Sequence, residues 1–208
     1  MDAQTLASAM GCALKTATAH VADFNTALFQ AGCTTVVRVA MFCAQIGHES
    51  VGLRFMEEIW GPTAAQLGYE GRADLGNTQP GDGKRFKGRG PIQLTGRANY
   101  ARFGAWAKAR GLVADAGHFV DNPAMVATSQ WGFLAASWYW TVARDINPLA
   151  DARDILAATR AVNGGTNGLA DRTDRWNRCL TLGNALLPTG GGGAAATSQH
   201  TPLAVLED

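Results

Sequence analysis

Cysteine, histidine and net charge are all scarce in this chain. Four cysteines and four histidines occur in 208 residues, and the formal net charge is +1. The cysteines, Cys12, Cys33, Cys43 and Cys179, are far apart and form no Cys-x-x-Cys pair, so neither a zinc knuckle nor a disulfide framework is indicated, and free buried thiols are expected. His48-Glu49 invites comparison with a zinc-protease helix. That site needs a second histidine four residues on, and position 52 is Gly. His20, His118 and His200 are scattered, so no metal is expected. The glycine-rich stretch 81–90 lacks Gly-x-x-x-x-Gly-Lys-Ser/Thr and follows no strand signal, which argues against a phosphate loop; no cofactor is expected. No window approaches a membrane span and the N-terminus lacks a basic start followed by an apolar run, so a soluble chain made in the cytoplasm, without stable membrane association, is expected.

What is present is an ordinary globular composition, 47% hydrophobic, with helical periodicity. Leu6, Met10, Leu14, Val21, Phe24 and Leu28 recur at three-to-four spacing, predicting two amphipathic helices before Gly32. Thr34-Thr35 offers an N-cap to an almost wholly apolar helix from Val36 to Glu49, so Glu49 stands near the end of a core element. Residues 61–91 read as a long excursion with little regular structure. Helices are predicted over Thr95–Arg110, Thr128–Val142, Asp151–Val162 and Thr173–Leu187; no alternating strand run is found, so the chain is mainly α. Trp131–Trp140 predicts a central core helix, with sugar stacking by one Trp as the alternative. Residues 1–187 are expected to form one catalytic domain, and 188–208 a Gly/Ala-rich linker or tail leading to a missing binding module.

Charge is concentrated. Between residues 82 and 110, Lys84, Arg85, Lys87, Arg89, Arg97, Arg102, Lys108 and Arg110 face the single acid Asp82. Such a face can draw a protein toward an anionic polymer, nucleic acid or bacterial wall, or be a solvated surface.

The candidate chemistry rests on Glu49 and Glu58. Nine residues apart, on one unbroken helix they would be separated by about 13.5 Å of rise and lie on opposite faces. Gly52 between them can end the helix and let the chain double back, so that the two carboxyls face each other across a cleft. One carboxyl giving a proton to a leaving oxygen and another activating water is the requirement for glycosidic hydrolysis.

Three ordered blocks carry a resemblance: Ala44-Gln-Ile-Gly-His-Glu-Ser50, Gly88-Arg-Gly-Pro-Ile-Gln-Leu-Thr-Gly96 and Val162-Asn-Gly-Gly-Thr-Asn-Gly-Leu-Ala-Asp-Arg172. Together they resemble the glycoside hydrolase family 19 chitinases, and more closely the branch formed by bacteriophage endolysins. The resemblance implies the two-lobed, mostly helical lysozyme-like fold with a central cleft. It implies that Glu49 is the general acid and Glu58 the general base of an inverting reaction, and that Thr95 helps hold the attacking water. It further implies that Gln93, Asn99, Tyr100, Asn163 and Arg172 contact substrate, with Arg175 as the rival of Arg172. The implied partner is the glycan strand of bacterial peptidoglycan rather than nucleic acid, cut by a monomeric enzyme. The implied location is the host cytoplasm until a separate pore-forming protein, a holin, opens the membrane, and then the wall. A bacterial chitinase and a catalytically inactive wall-binding module are the competing readings.

Overall fold

The computed structural model describes residues 1–190 and is built almost entirely from helices. In chain order these are α1 (Ala3–Met10), α2 (Leu14–Gln30), α3 (Val36–Glu49), α4 (Ala64–Leu67), α5 (Asp82–Arg85), α6 (Arg97–Ala109), α7 (His118–Asp121), α8 (Ser129–Trp138), α9 (Asn147–Asp151), α10 (Ile155–Asn163) and α11 (Leu169–Thr181). Extended backbone among the described residues is limited to the isolated bridges Glu57–Arg89 and Arg89–Leu94. All but the first three residues of the expected 188–208 tail lie outside the described residues.

One lobe gathers α1, α2, α3, α10 and α11, with α3 packed most extensively on α11. The other gathers α4 to α7. Helix α8 joins them through its aromatic residues: Phe133 lies 5.3 Å from Phe24 of α2, whereas Trp138 lies 6.1 Å from Phe103 of α6 and Trp131 5.0 Å from Phe119 of α7. Trp131, Trp138 and Trp140 are all buried, so this segment is core and supplies no sugar-stacking face.

Helix α3 follows its sequence closely. The Thr35 hydroxyl accepts from the Arg38 amide as N-cap, and every residue from Val39 to Gly47 is buried. The helix stops at Glu49 because the next turn is left-handed: Val51, Gly52 and Leu53 have φ of 51°, 66° and 63°. Two non-glycine residues in that region cost about 1–2 kcal/mol each. The Ser50 hydroxyl offsets part of this by donating to Ile46 O and accepting from Leu53 N, each bond 2.7–2.8 Å long. Gly52 is required there, since a Cβ would sit 2.9 Å from Met10 O.

Elsewhere the boundaries shift for identifiable reasons. The helix expected over 151–162 is broken: α9 ends at Asp151, Arg153 is left-handed at φ 57°, and α10 restarts at Ile155 with the Asp154 carboxylate capping Ala157 N at 2.8 Å. Helix α8 gives way at Tyr139 to one π-type turn, Tyr139–Ala143. The last helix begins at Leu169 rather than Thr173. In the 61–91 excursion, Phe86 is the buried apolar anchor and the single helical turns are fixed mainly by polar side chains. Asn77, fully buried, donates to Tyr69 O and accepts from Arg97 N; the Glu70 carboxylate accepts from the amides of Gly81 and Gly83.

Candidate active site

The reversal at Val51–Leu53 brings Glu49 and Glu58 onto one cleft of about 260 Å³, lined also by Phe55, Glu57, Ile59 and Gln93. Glu49 leaves the end of α3 with its side chain 20% exposed. Its Oε1 accepts from Nη2 of Arg172, whose guanidinium also reaches Gln45 Oε1 at 2.5 Å and Asn167 O at 3.2 Å. Gln45, fully buried, lies one turn before Glu49 on α3, so α11 grips the acid and its helical neighbour with a single planar group. Glu49 Oε2 makes no hydrogen bond among the described residues.

Glu58 is held differently. Its Oε2 accepts from the Gly88 amide at 3.0 Å, and its Oε1 from Gln66 Nε2 at 3.0 Å and Tyr69 Oη at 3.4 Å. All three donors are neutral. Burial and the neighbouring Glu58 both push the Tyr69 phenol above its ordinary value, so it stays a proton donor at neutral pH. Glu57 also lines the cleft, so both members of the acidic pair face it. Burial alone would raise the Glu57 carboxyl, but Arg89 Nε at 2.8 Å and Lys87 Nζ at 3.3 Å hold it below the usual carboxylate range. An acid tied to two cations is poorly placed to take a proton from water, which disfavours Glu57 in that role.

The Ile92–Thr95 turn supplies the polar wall. Gln93 adopts φ 55°, and its side-chain amide donates to Gly90 O at 3.0 Å. Gly88 packs closely beside it: a Cβ there would meet Gln93 Oε1 at 2.6 Å and displace that side chain. The Thr95 hydroxyl donates to Gln93 O at 2.8 Å, and Asn99 Nδ2 donates to Thr95 O at 2.8 Å. Thr95 is therefore not the N-cap of α6; that position is Gly96 and carries no side-chain cap.

Of the expected site residues, Glu49, Glu58 and Gln93 line the cleft, and Thr95 and Asn99 are tied to it through Gln93. Two expectations are corrected. Tyr100 is fully buried, with its hydroxyl donating to Lys87 O and accepting from Arg89 Nη1; it braces the loop and cannot touch sugar. Arg172 is 1% exposed, so it acts on Glu49 rather than on substrate. Asn163, at the end of α10, spends its amide on the following turn, donating to Asn167 O and accepting from Gly165 N. Arg175 does not compete for Glu49: it binds Asp171 and Met10 O. Asp171 in turn meets His48 Nδ1 at 2.7 Å, and Gly168 lets the chain pass against the His48 ring, where a Cβ would lie 2.0 Å from it.

The contacts of Gln66, Tyr69 and Gln45 were not anticipated from sequence. Only Gln66 left a signal, in Thr63-x-x-Gln66, a capping box that is formed here and predicts a helix start but not a carboxylate partner. The basic segment is also less free than its composition implies. Arg97 pairs with the buried Asp82, and Lys87 and Arg89 with Glu57. No cluster of three metal-ligating side chains occurs among the described residues.

Residues 9–162 match the family model described as chitinase class I, the glycosyl hydrolase family 19. The match stops before Asn163 and Arg172. A glycosyl hydrolase family 19 domain-containing protein of Haemophilus influenzae is 30% identical over 183 residues, covering 74% of this chain and 84% of that protein. An endochitinase of Arabidopsis thaliana is 33% identical over 159 residues, covering 74% of this chain and 50% of its own length, so this chain spans only half of that plant relative. Among solved structures, a bacterial family 19 chitinase superposes with a TM-score of 0.65 at 20% identity, over 93% of this chain and 97% of that one, a likeness of fold.

Proposed function

The chain belongs to glycoside hydrolase family 19, chitinase class I, and from that premise we propose that this glycosidase is an endolysin: it cuts β-1,4 bonds in the glycan strands of bacterial peptidoglycan. The observation that carries the catalytic part is the pairing of Glu49 and Glu58 on one cleft, with one oxygen of Glu49 held by Arg172 and the other left open.

In the proposed reaction Glu49 Oε2 carries a proton to the glycosidic oxygen as the C1–O bond breaks. Water attacks C1 from the opposite face and gives its proton to Glu58, and the product emerges inverted. Glu58, fixed by Gly88, Gln66 and Tyr69, keeps its direction as its charge changes. Thr95 and Gln93 would orient the water, and Asn99 would support that turn through Thr95. Proton transfer by each positioned carboxyl is worth roughly 10²–10⁴ in rate.

The substrate assignment draws on the endolysin-like sequence blocks. The same resemblance leads us to place the chain as a monomer in the host cytoplasm until a holin-type pore releases it to the wall. A bacterial chitinase is the second reading, favoured by the endochitinase relatives. Turbidity loss of purified peptidoglycan, set against release of soluble sugar from chitin, separates the two. Mass spectrometry of the new reducing ends then assigns the cut to the N-acetylmuramic acid or the N-acetylglucosamine side. Lysis of peptidoglycan with new reducing ends supports the endolysin reading; cleavage of chitin alone contradicts it.

A further inference from the structure

A second hollow, of about 880 Å³, is lined by Lys87 and Arg89, which flank the Gly88 amide that holds Glu58 of the acidic cleft. The charge of Lys87 and Arg89 is compensated by Glu57. Lys84 and Arg85, both exposed on the same lining, have no acidic partner among the described residues. Arg85 is nevertheless fixed: its Nη2 donates to Val120 O at 3.0 Å and Asp121 O at 3.2 Å. Backbone carbonyls are neutral, so they set the direction of the guanidinium without cancelling its charge. Asp121 is the one acid of the lining beside these four cations. Pro123, Ala124 and Met125 make the remaining wall largely apolar.

We propose that this hollow binds the carboxylate-bearing peptide attached to the glycan strand, with Lys84 and Arg85 pairing with its carboxylates and the Pro123–Met125 wall receiving its small side chains. The assignment rests on peptidoglycan being the substrate. A neutral polysaccharide would gain nothing from two cations without an ion-pair partner, one of them fixed in direction, whereas a peptide hanging from the strand carries carboxylates and methyl groups together. A polyphosphate would match the charge but not the apolar wall. The Gly88 amide, between Lys87 and Arg89 of this lining, holds Glu58, so a peptide seated here would help hold the strand across Glu49 and Glu58.

The test uses the full chain and a free synthetic stem peptide, an alanine and γ-linked glutamate tetrapeptide with free carboxylates, titrated calorimetrically without glycan. Saturable binding is expected, and the double variant Lys84→Gln with Arg85→Gln should weaken it about tenfold, the effect of losing charge-assisted contacts at a partly exposed site. Lys84→Gln alone removes no internal bond and keeps the result readable if loss of the Arg85 contacts unsettles the fold; it should weaken binding by about threefold. Absence of saturable binding overturns the proposal. So does equal affinity of wild type and both variants, or tighter binding of a glycerol-phosphate oligomer than of the peptide. Release of reducing ends from intact peptidoglycan is followed separately: strand cleavage without peptide binding removes this site and leaves the endolysin reading, whereas absence of strand cleavage removes that reading and with it the assignment of this site.

Discussion

The guanidinium of Arg172, buried in α11, donates to one carboxylate oxygen of Glu49 at the end of α3 and leaves the other open to the cleft. This contact fixes the orientation of the Glu49 carboxylate from a side chain buried in α11, so in the proposed reaction Arg172 is a positioning residue. Arg172→Lys keeps the charge but loses the planar fork shared among Glu49, Gln45 and Asn167. We expect kcat to fall roughly 10- to 100-fold with KM little changed, since a misplacement of about 1 Å costs on that order. The pH–rate profile should change as well. A variant that is merely less stable, by the about 1–3 kcal/mol of an unsatisfied buried partner, with kcat and pH profile intact, would contradict the role.

Glu57 and Glu58 both line the cleft, so their difference lies in their partners. Glu58→Gln should cut turnover roughly 10²–10⁴-fold while the protein stays folded. Glu57→Gln should leave turnover per folded molecule near wild type and lower stability by about 1–2 kcal/mol, because Arg89, 7% exposed, loses its carboxylate. Steady-state rates paired with thermal unfolding make the comparison, and a larger loss of turnover at Glu57 would exchange the two assignments.

Thr95→Val preserves volume but removes the hydroxyl that donates to Gln93 O. Turnover should drop by about 10²-fold with modest change in glycan binding, the cost of removing one aligned polar group from a reacting centre. Stability should fall by only about 1 kcal/mol, one hydrogen bond's worth. Unchanged turnover would leave Thr95 a turn residue.

Asp82 is buried and pairs with Arg97; that bond, outweighing burial, holds its carboxyl below the ordinary range. A depressed folded value means the contribution to stability is fully present above the unfolded carboxylate value and is lost as the pH falls through the folded one. Asp82→Asn should therefore lower stability by about 3 kcal/mol near neutrality and by much less in strong acid. Denaturant unfolding from pH 7 down to pH 2 checks it; a constant difference across that span would contradict the assignment.

Helix α3 was legible in the sequence because capping, apolar run and the Gly52 stop all agree. The break at Asp151–Asp154 was not, since an Asp can equally continue a surface turn or cap a new helix, and here Asp154 caps. At the site, sequence placed Glu49, Glu58 and Gln93 on one cleft because Glu49 and Gln93 sit in distinctive blocks and Glu58 follows Glu49 by nine residues across the Gly52 stop. It misjudged Tyr100 and Arg172 because a motif position says nothing about burial. Tyr100 turns inward under the 87–89 loop, and Arg172 reaches Glu49 from within α11. The partners of Glu58 come from 61–91, where single turns held mainly by polar side chains leave no periodic trace.

The central claim is that Glu49 delivers the proton to the leaving oxygen, and the most direct measurement is the turnover of Glu49→Gln on purified peptidoglycan. Gln keeps the shape and can still accept from Arg172, so the variant should unfold within a few degrees of wild type while its rate of reducing-end release falls roughly 10²–10⁴-fold. A folded Glu49→Gln protein that retains more than about a tenth of the wild-type rate would contradict the assignment of the acid, and with it the account of the cleft.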